Sequence, residues 1–254
     1  IEWCKQNEVH LISDEIYAGS VYRGGEQDAV PFTSTLSLAA STDTSESDPR
    51  GLGLGPYVHF VYALSKDFAL SGLRVGVAYS ENETIRTPMQ KLNDLCQISS
   101  QTQLLVERML KSEALKEVSD ETHWTGEFLK ENQRRIRTRC DQLQQCLDEF
   151  DVPYLSADSG LFLWMDMREF LPPIESGGDE VLGRTKEKLE SMEQRERVLY
   201  LEMLHDHGLL FTPGLSMRNE LPGFFRCVFT AATDEEFDLG LERIRNFIAV
   251  KRSQ

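Results

Sequence analysis

The sequence predicts an α/β protein with two domains, and three observations lead to this prediction. Apolar, β-branched and aromatic runs typical of buried strands occur in both halves of the chain, at Tyr57–Ala63 and Phe224–Phe229. Segments with helical periodicity alternate with these strands. A mainly helical region separates the two halves, and the domain boundary is predicted within it, near residue 115. The predicted domains are therefore 1–115 and 116–254.

The first predicted domain contains three strands followed by helical sequence. A strand at Val9–Ser13 follows the predicted tail of a helix, and strands at Tyr57–Ala63 and Arg74–Tyr79 are joined by a turn. Helical character then extends over Asn82–Glu113. Residues 24–56 lack a periodic pattern and are rich in Ser, Thr, Asp and Gly, which predicts a flexible insertion. Its Gly-x-Gly-x-Gly run has no helix after it, so we interpret it as a linker and not as a phosphate loop.

The second predicted domain begins in a long helix that runs from about Ser119 to Phe150. Apolar residues recur in this helix at alternating four- and three-residue steps and form one packing stripe. The stripe consists of Ile136, Cys140, Leu143, Leu147 and Phe150. The remaining predicted elements are a strand region at Tyr154–Asp166, a charged insertion at 174–197 with a solvated helix at 186–190, a helix at Val198–His207, strands at Leu209–Thr212 and Phe224–Phe229, and a final helix at Asp234–Val250.

Composition and charge exclude several classes of protein. The 254 residues are 40% hydrophobic and 27% charged, which is a globular composition, and no apolar run is long enough to span a membrane. The formal net charge of −15 argues against nucleic-acid binding, because that function needs a basic surface. Five scattered cysteines without a Cys-x-x-Cys pair favour reduced thiols, and the histidines have no metal-ligating spacing. We therefore expect a cytoplasmic protein without a metal site.

Lys66 and Arg74 are the first candidates for a functional role. Lys66 follows a buried strand, where a lysine is costly unless its amine is neutral or bonded. Desolvation lowers the pKa of such an amine and makes it a nucleophile near neutral pH. The alternative is a lysine that extends its amine to water. Arg74 lies in a glycine-flanked turn, and its planar guanidinium suits either a phosphate dianion or a surface ion pair.

Asp14, Tyr17 and Arg226 complete the set of candidates. Asp14 and Tyr17 follow a predicted strand, at the edge where open α/β sheets bind ligands. Alternatively, Asp14 caps a turn and Tyr17 packs below it. Arg226 is the single arginine in an aromatic and β-branched strand, so its guanidinium needs an anionic partner. An acid of the same domain is one such partner.

Two motifs resemble those of a known family: Ser65-Lys66-Asp67-Phe68 and Gly72-Leu73-Arg74-Val75-Gly76. They resemble the lysine motif of the class I/II aminotransferases, which are pyridoxal-phosphate (PLP) enzymes of fold type I. They are most similar to the 1-aminocyclopropane-1-carboxylate (ACC) synthases and ACC synthase-like proteins. This resemblance implies part of a large, mostly parallel-sheet domain followed by a smaller C-terminal α/β domain. It also implies a homodimer, since family active sites are shared between subunits.

The resemblance also implies a role for each candidate residue. Lys66 would form the Schiff base with the cofactor and later act as general acid and base at the substrate Cα. A carboxylate beside the pyridine nitrogen keeps the cofactor ring protonated. The implied partners are Asp14 for the ring nitrogen, Tyr17 for the ring oxygen, Arg74 for the phosphate and Arg226 for the α-carboxylate of an amino-acid substrate.

Three functions remain open from the sequence. The first is an ACC synthase-like α,γ-elimination from S-adenosylmethionine, and the second is an aminotransferase that uses the same residues. The third is a catalytically incomplete fragment, because the chain resembles only the C-terminal part of a typical family member. Ala63 also stands where the family often has a phosphate-binding serine. The lost hydroxyl contact corresponds to about 1–2 kcal/mol.

Overall fold

The computed structural model describes residues 1–25, 31–40, 52–111, 124–173 and 186–254. These residues form two compact units, Ile1–Arg134 and Arg135–Gln254. The boundary predicted near residue 115 lies outside the described residues.

The first unit contains a mixed three-stranded sheet and several helices. The helices are α1 (Glu2–Gln6), α2 (Thr35–Ala40), α3 (Glu83–Cys96), α4 (Ser100–Lys111) and the beginning of α5 (Trp124–Asp148). The strands are β1 (Leu11–Asp14), β2 (Val58–Ala63) and β3 (Gly76–Ser80), in the order β1-β2-β3. β1 is parallel to β2, whereas β3 is antiparallel to it.

The strands of this unit begin and end within two residues of the predicted bounds, and two of the differences from the predictions have a clear local cause. β3 begins at Gly76 instead of Arg74, because the Arg74 backbone is left-handed with φ 54° and ψ 40°. The predicted helical region is divided into α3 and α4. The Ser99 hydroxyl accepts a hydrogen bond from the Thr102 amide at 3.2 Å, so it caps the start of α4.

The predicted insertion at 24–56 has structure wherever it is described. Residues 26–30 and 41–51 lie outside the described residues. Between them, α2 begins at Thr35, whose amide and hydroxyl both donate to the buried carboxylate of Glu15. Leu54 is fully buried and packs with Val58 of β2. These two stretches are therefore packed against the first unit.

The second unit contains an antiparallel sheet and helical segments. The strands are β4 (Tyr154–Leu155), β5 (Phe162–Asp166), β6 (Thr212–Pro213) and β7 (Phe224–Val228), in the order β4-β5-β7-β6. The helices are the remainder of α5, α6 (Lys186–His205) and α7 (Asp234–Ser253). The helices predicted at 186–190 and Val198–His207 are parts of the single helix α6. Residues 174–185 of the predicted charged insertion lie outside the described residues.

The core of the second unit contains the apolar stripe predicted for α5. Four of the five stripe residues are buried, and Phe150 is half-buried. β5 and β7 add a fully buried face on which Leu163, Met165 and Phe225 lie. The opposite face of these two strands, which carries Arg226, is only half-buried. The sheet therefore separates an apolar core from a face that is open to ligands.

None of the helices in the described ranges combines the length and the hydropathy that a membrane span requires.

Candidate active site

Lys66 lies on a turn that is fixed to the core of the first unit on both sides. Leu64 and Phe68 are buried in one cluster, and the Phe68 ring stacks on Phe128 of α5 at 5.6 Å. The backbone closes around the lysine, because the Leu70 amide donates to the Leu64 carbonyl at 3.1 Å. The Lys66 side chain is half-buried. A rigid turn therefore presents the amine at the end of β2.

Tyr17 and Asp14 lie at the same edge of the sheet as Lys66. β1 and β2 are parallel, with Asp14 opposite Val61, so the carboxyl ends of both strands meet there. The Lys66 Nζ lies 5.9 Å from the centroid of the Tyr17 ring. Asp14 is exposed and accepts a hydrogen bond from the Ile16 amide at 3.3 Å. The structure thus brings Lys66 and Tyr17 together and leaves the Asp14 carboxylate accessible.

Arg74 is exposed and held by its own turn. Its Nη1 donates to the Ser71 carbonyl at 2.9 Å. Val75, the next residue, is buried and accepts a hydrogen bond from the Leu64 amide at 3.1 Å. The arginine turn is therefore attached to the lysine turn, while the remaining donors of the guanidinium can reach an anion.

Arg226 belongs to the second unit and is surrounded by aromatic rings. Its guanidinium lies over the Phe162 ring at 5.3 Å, and Nη2 is 3.4 Å from the Thr212 hydroxyl. Among the described residues, the buried Nε has no hydrogen-bond partner. Phe224 on the same face of β7 stacks with Trp164 at 6.1 Å. A buried donor without a partner is costly, and a bound carboxylate would satisfy it.

A buried acid fixes the loop that leads to Arg226. The carboxylate of Glu196 on α6 accepts hydrogen bonds from the Leu215 amide at 2.9 Å and the Gly223 amide at 2.7 Å. Burial raises the pKa of Glu196 above its ordinary value, although both amides favour the charged form. Gly223 has φ +90°, and a Cβ there would lie 2.9 Å from the Arg168 side chain. The start of β7 is therefore rigidly placed.

Comparison with known proteins identifies the family. The sequence profile described as "Aminotransferase class I and II" matches residues 1–244. The chain belongs to this family. Members of the family use pyridoxal 5′-phosphate. The family assignment and the fold type I predicted from the lysine motif are both confirmed.

Sequence relatives of this aminotransferase-family chain include plant ACC synthases. The chain is 32% identical over 241 residues to 1-aminocyclopropane-1-carboxylate synthase 11 of Arabidopsis thaliana, with coverage of 95% of this chain and 44% of that protein. It is 34% identical over 248 residues to 1-aminocyclopropane-1-carboxylate synthase 5 of Oryza sativa subsp. japonica, covering 98% and 40%. The chain therefore spans less than half the length of these relatives.

Solved structures with the same fold include aminotransferases. An aromatic aminotransferase from Pyrococcus horikoshii OT3 matches with a TM-score of 0.66 at 18% identity, covering 99% of this chain and 54% of that one. LysN, an α-aminoadipate aminotransferase from Thermus thermophilus complexed with N-(5′-phosphopyridoxyl)-L-leucine, matches with a TM-score of 0.66 at 18% identity, covering 99% and 53%. At this identity the likeness shows the fold alone.

The residues of the first unit fit the family's cofactor. The amine on its rigid turn lies 5.9 Å from the centroid of the tyrosine ring, and an accessible carboxylate lies at the same edge of the sheet. Covalent attachment of that cofactor, a hydrogen bond to its ring oxygen and a charge pair with its ring nitrogen would require these three types of group: an amine, a phenol and a carboxylate.

Sequence reasoning assigned no chemical role to several polar residues that hold this edge together. Asp67 enters the sequence analysis only as part of the lysine motif, but its carboxylate is fully buried and accepts three hydrogen bonds. Asn132 and Gln133 on α5 donate to backbone carbonyls of the two turns. The sequence does show an aspartate directly after Lys66 and two adjacent amide side chains on a helix. Their hydrogen-bond partners lie far away in the sequence, so these contacts could not be predicted from it.

Proposed function

We propose that this chain is part of a PLP-dependent enzyme that acts on α-amino acids with an ACC synthase-like reaction. The main support for this proposal is the position of Lys66. This residue lies on a rigid turn at the edge of the sheet, and its amine is 5.9 Å from the centroid of the Tyr17 ring. The surrounding core limits the freedom of that turn, so the amine is pre-organised for one attachment site. The substrate proposed is S-adenosylmethionine, and the reaction is an α,γ-elimination.

In this proposal, each of four residues of the first unit binds a different part of the cofactor. Lys66 holds the cofactor covalently and moves the proton at the substrate Cα. Asp14 keeps a proton on the pyridine nitrogen, and Tyr17 donates to the ring oxygen. Arg74 binds the phosphate with the donors that Ser71 leaves open. When bound, the cofactor supplies the electron sink for the bonds to Cα.

Arg226 binds the α-carboxylate of the substrate in this proposal. The support is the buried Nε that lacks a hydrogen-bond partner within the described ranges. The Phe162 ring lies 5.3 Å from the guanidinium carbon and covers one side of it, and Phe224 stacks on Trp164 on the same face of the sheet. The proposed enzyme is a homodimer, as the family resemblance implies.

An aminotransferase is the second candidate, because the chain shares its fold with solved aminotransferases. The same five residues serve both reactions, which differ in the fate of the electrons after Cα deprotonation. The identities of 32% and 34% to plant ACC synthases favour the first candidate.

The deciding experiment uses the full-length protein with PLP. S-adenosylmethionine is expected to yield ACC and methylthioadenosine, measured by mass spectrometry. Conversion of the cofactor to its pyridoxamine form by an ordinary amino acid, without ACC, would establish the aminotransferase instead. No turnover of any amino acid by the PLP-loaded protein would contradict both and leave the hypothesis of a catalytically incomplete protein.

A further inference from the structure

Asp67 links the turn of Lys66 to the turn of Tyr17. Its Oδ2 accepts hydrogen bonds from the Gly19 amide at 2.7 Å and the Tyr62 hydroxyl at 2.9 Å. Its Oδ1 accepts from the Ser20 hydroxyl at 2.6 Å. The side chain has no exposed surface, so these bonds replace the hydration of the carboxylate. Gly19 and Ser20 follow Tyr17 almost directly, and Asp67 follows Lys66.

The backbone of both turns is also fixed to α5. Asn132 Nδ2 donates to the Asp67 carbonyl at 3.1 Å, and Gln133 Nε2 donates to the Gly19 carbonyl at 3.0 Å. A Cβ on Gly19 would lie 2.8 Å from Asp67 Oδ2 and 2.9 Å from Leu129 Cδ2. Only glycine at position 19 allows Asp67 and Leu129 to approach the backbone this closely. The two turns and α5 are therefore tightly packed at this point.

We propose that Asp67 is a positioning residue that sets the placement of Tyr17 relative to Lys66. This inference rests on the proposed function, in which Lys66 holds the cofactor and Tyr17 donates to its ring oxygen. Both turns leave parallel strands at the same edge, but the strand pairing ends before either side chain. The carboxylate supplies the connection beyond the strands. Without it, the Tyr17 turn loses its bonds to the lysine turn, and the donor moves away from the ring oxygen.

The test compares Asp67→Ala and Asp67→Asn in the full-length protein. The asparagine can keep all three contacts, because its oxygen accepts from Gly19 and Tyr62 and its amide group can donate to the Ser20 hydroxyl. The measured quantities are the dissociation constant of PLP and the pH midpoint of the absorption band of the bound cofactor. We expect Asp67→Ala to weaken PLP binding about tenfold and to raise the midpoint by about one pH unit, as loss of a hydrogen bond to the ring oxygen predicts. Asp67→Asn is expected to restore both values to near wild type.

Glu81→Ala is the matched control for a purely structural effect. Glu81 is a carboxylate of the same unit that accepts from the Gly55 amide at 2.6 Å and the Tyr79 hydroxyl at 3.0 Å. Its removal is expected to lower the melting temperature and leave the pH midpoint unchanged. If Asp67→Ala fails to fold, Ser20→Ala removes one of the three bonds and is expected to give a smaller rise of the midpoint.

The inference is overturned if folded Asp67→Ala, or Ser20→Ala in its place, keeps the wild-type midpoint and PLP affinity. It is also overturned if Glu81→Ala shifts the midpoint as much as Asp67→Ala does. A wild-type protein that binds no PLP would instead overturn the proposed function itself.

Discussion

At the scale of single residues, the buried acids of this chain are held by hydrogen bonds from amides and hydroxyls. Glu15, Asp67 and Glu196 each accept at least two such bonds. For Glu15, burial raises the pKa, but the bonds from Ser34, Thr35 and Ser13 together lower it below its ordinary value. Each of these acids joins segments that no strand pairing connects. They are therefore the residues at which substitution is expected to affect local geometry most.

Arg226→Lys tests the substrate-binding role at this scale. Lysine keeps the charge but loses the planar fork, so we expect KM for the amino-acid substrate to rise about 10- to 100-fold, with a smaller change in kcat. Steady-state kinetics of the full-length protein measure both constants. Arg245→Lys is the matched control, because Arg245 pairs with Glu149 at the surface. An unchanged KM in Arg226→Lys would remove Arg226 from the substrate site.

Glu196→Ala tests the anchor of the loop before Arg226. The substitution leaves the amides of Leu215 and Gly223 without their acceptor in a buried place. We expect the free energy of unfolding to fall by about 3 kcal/mol. Each hydrogen bond to a buried carboxylate contributes on the order of 1.5–3 kcal/mol, and rearrangement of the loop around the alanine recovers part of the energy of the two lost bonds. Urea denaturation measures the change. A loss below about 0.5 kcal/mol, typical of a surface substitution, would show that the loop is held by other contacts.

At the scale of elements, a chain of hydrogen bonds crosses the three strands of the first unit at the end opposite Lys66. His10 Nδ1 and His59 Nε2 are 2.9 Å apart, and His59 Nδ1 is 2.9 Å from the Ser80 hydroxyl. His59 is buried on β2, and Ser80 is its partner on β3. One nitrogen of the histidine pair must carry a proton and the other must accept it. The bond is therefore lost when both rings are protonated.

This arrangement predicts a pH dependence of stability. Burial, followed by the charge of His10, lowers the pKa of His59 below its ordinary value. The unfolded chain therefore binds a proton that the folded chain resists. The contribution of His59 to stability is fully present above about pH 7 and is lost as the pH drops through the folded pKa of this residue. We expect the urea midpoint to decrease between about pH 7 and pH 5.5, and His59→Gln to reduce that decrease.

His205→Gln is the control for this prediction, because His205 is exposed at the end of α6. It is expected to leave the pH dependence unchanged. A wild-type midpoint that does not vary over this range would contradict the role given to the histidine pair.

At the scale of the whole molecule, local sequence patterns predicted the elements, and contacts between distant residues decided the details. The strand before Lys66 and the strand that contains Arg226 could be predicted from the sequence, because runs of apolar and aromatic residues are typical of buried strands. The hydrogen bond from the Gly19 amide to the Asp67 carboxylate joins residues 48 positions apart. The sequence around neither residue predicts this bond. The predicted strand at Leu209–Thr212 is reduced to Thr212–Pro213 in the sheet.

The central claim for the molecule is that Lys66 holds pyridoxal phosphate covalently. Borohydride reduction of the PLP-loaded full-length protein, followed by peptide mass mapping, tests it most directly. We predict one phosphopyridoxyl group on Lys66, with none on Lys130, an exposed lysine of the same unit that serves as an internal control. Lys66→Ala is expected to abolish the modification. A label on another lysine, or an unlabelled Lys66 in protein saturated with PLP, would contradict the account.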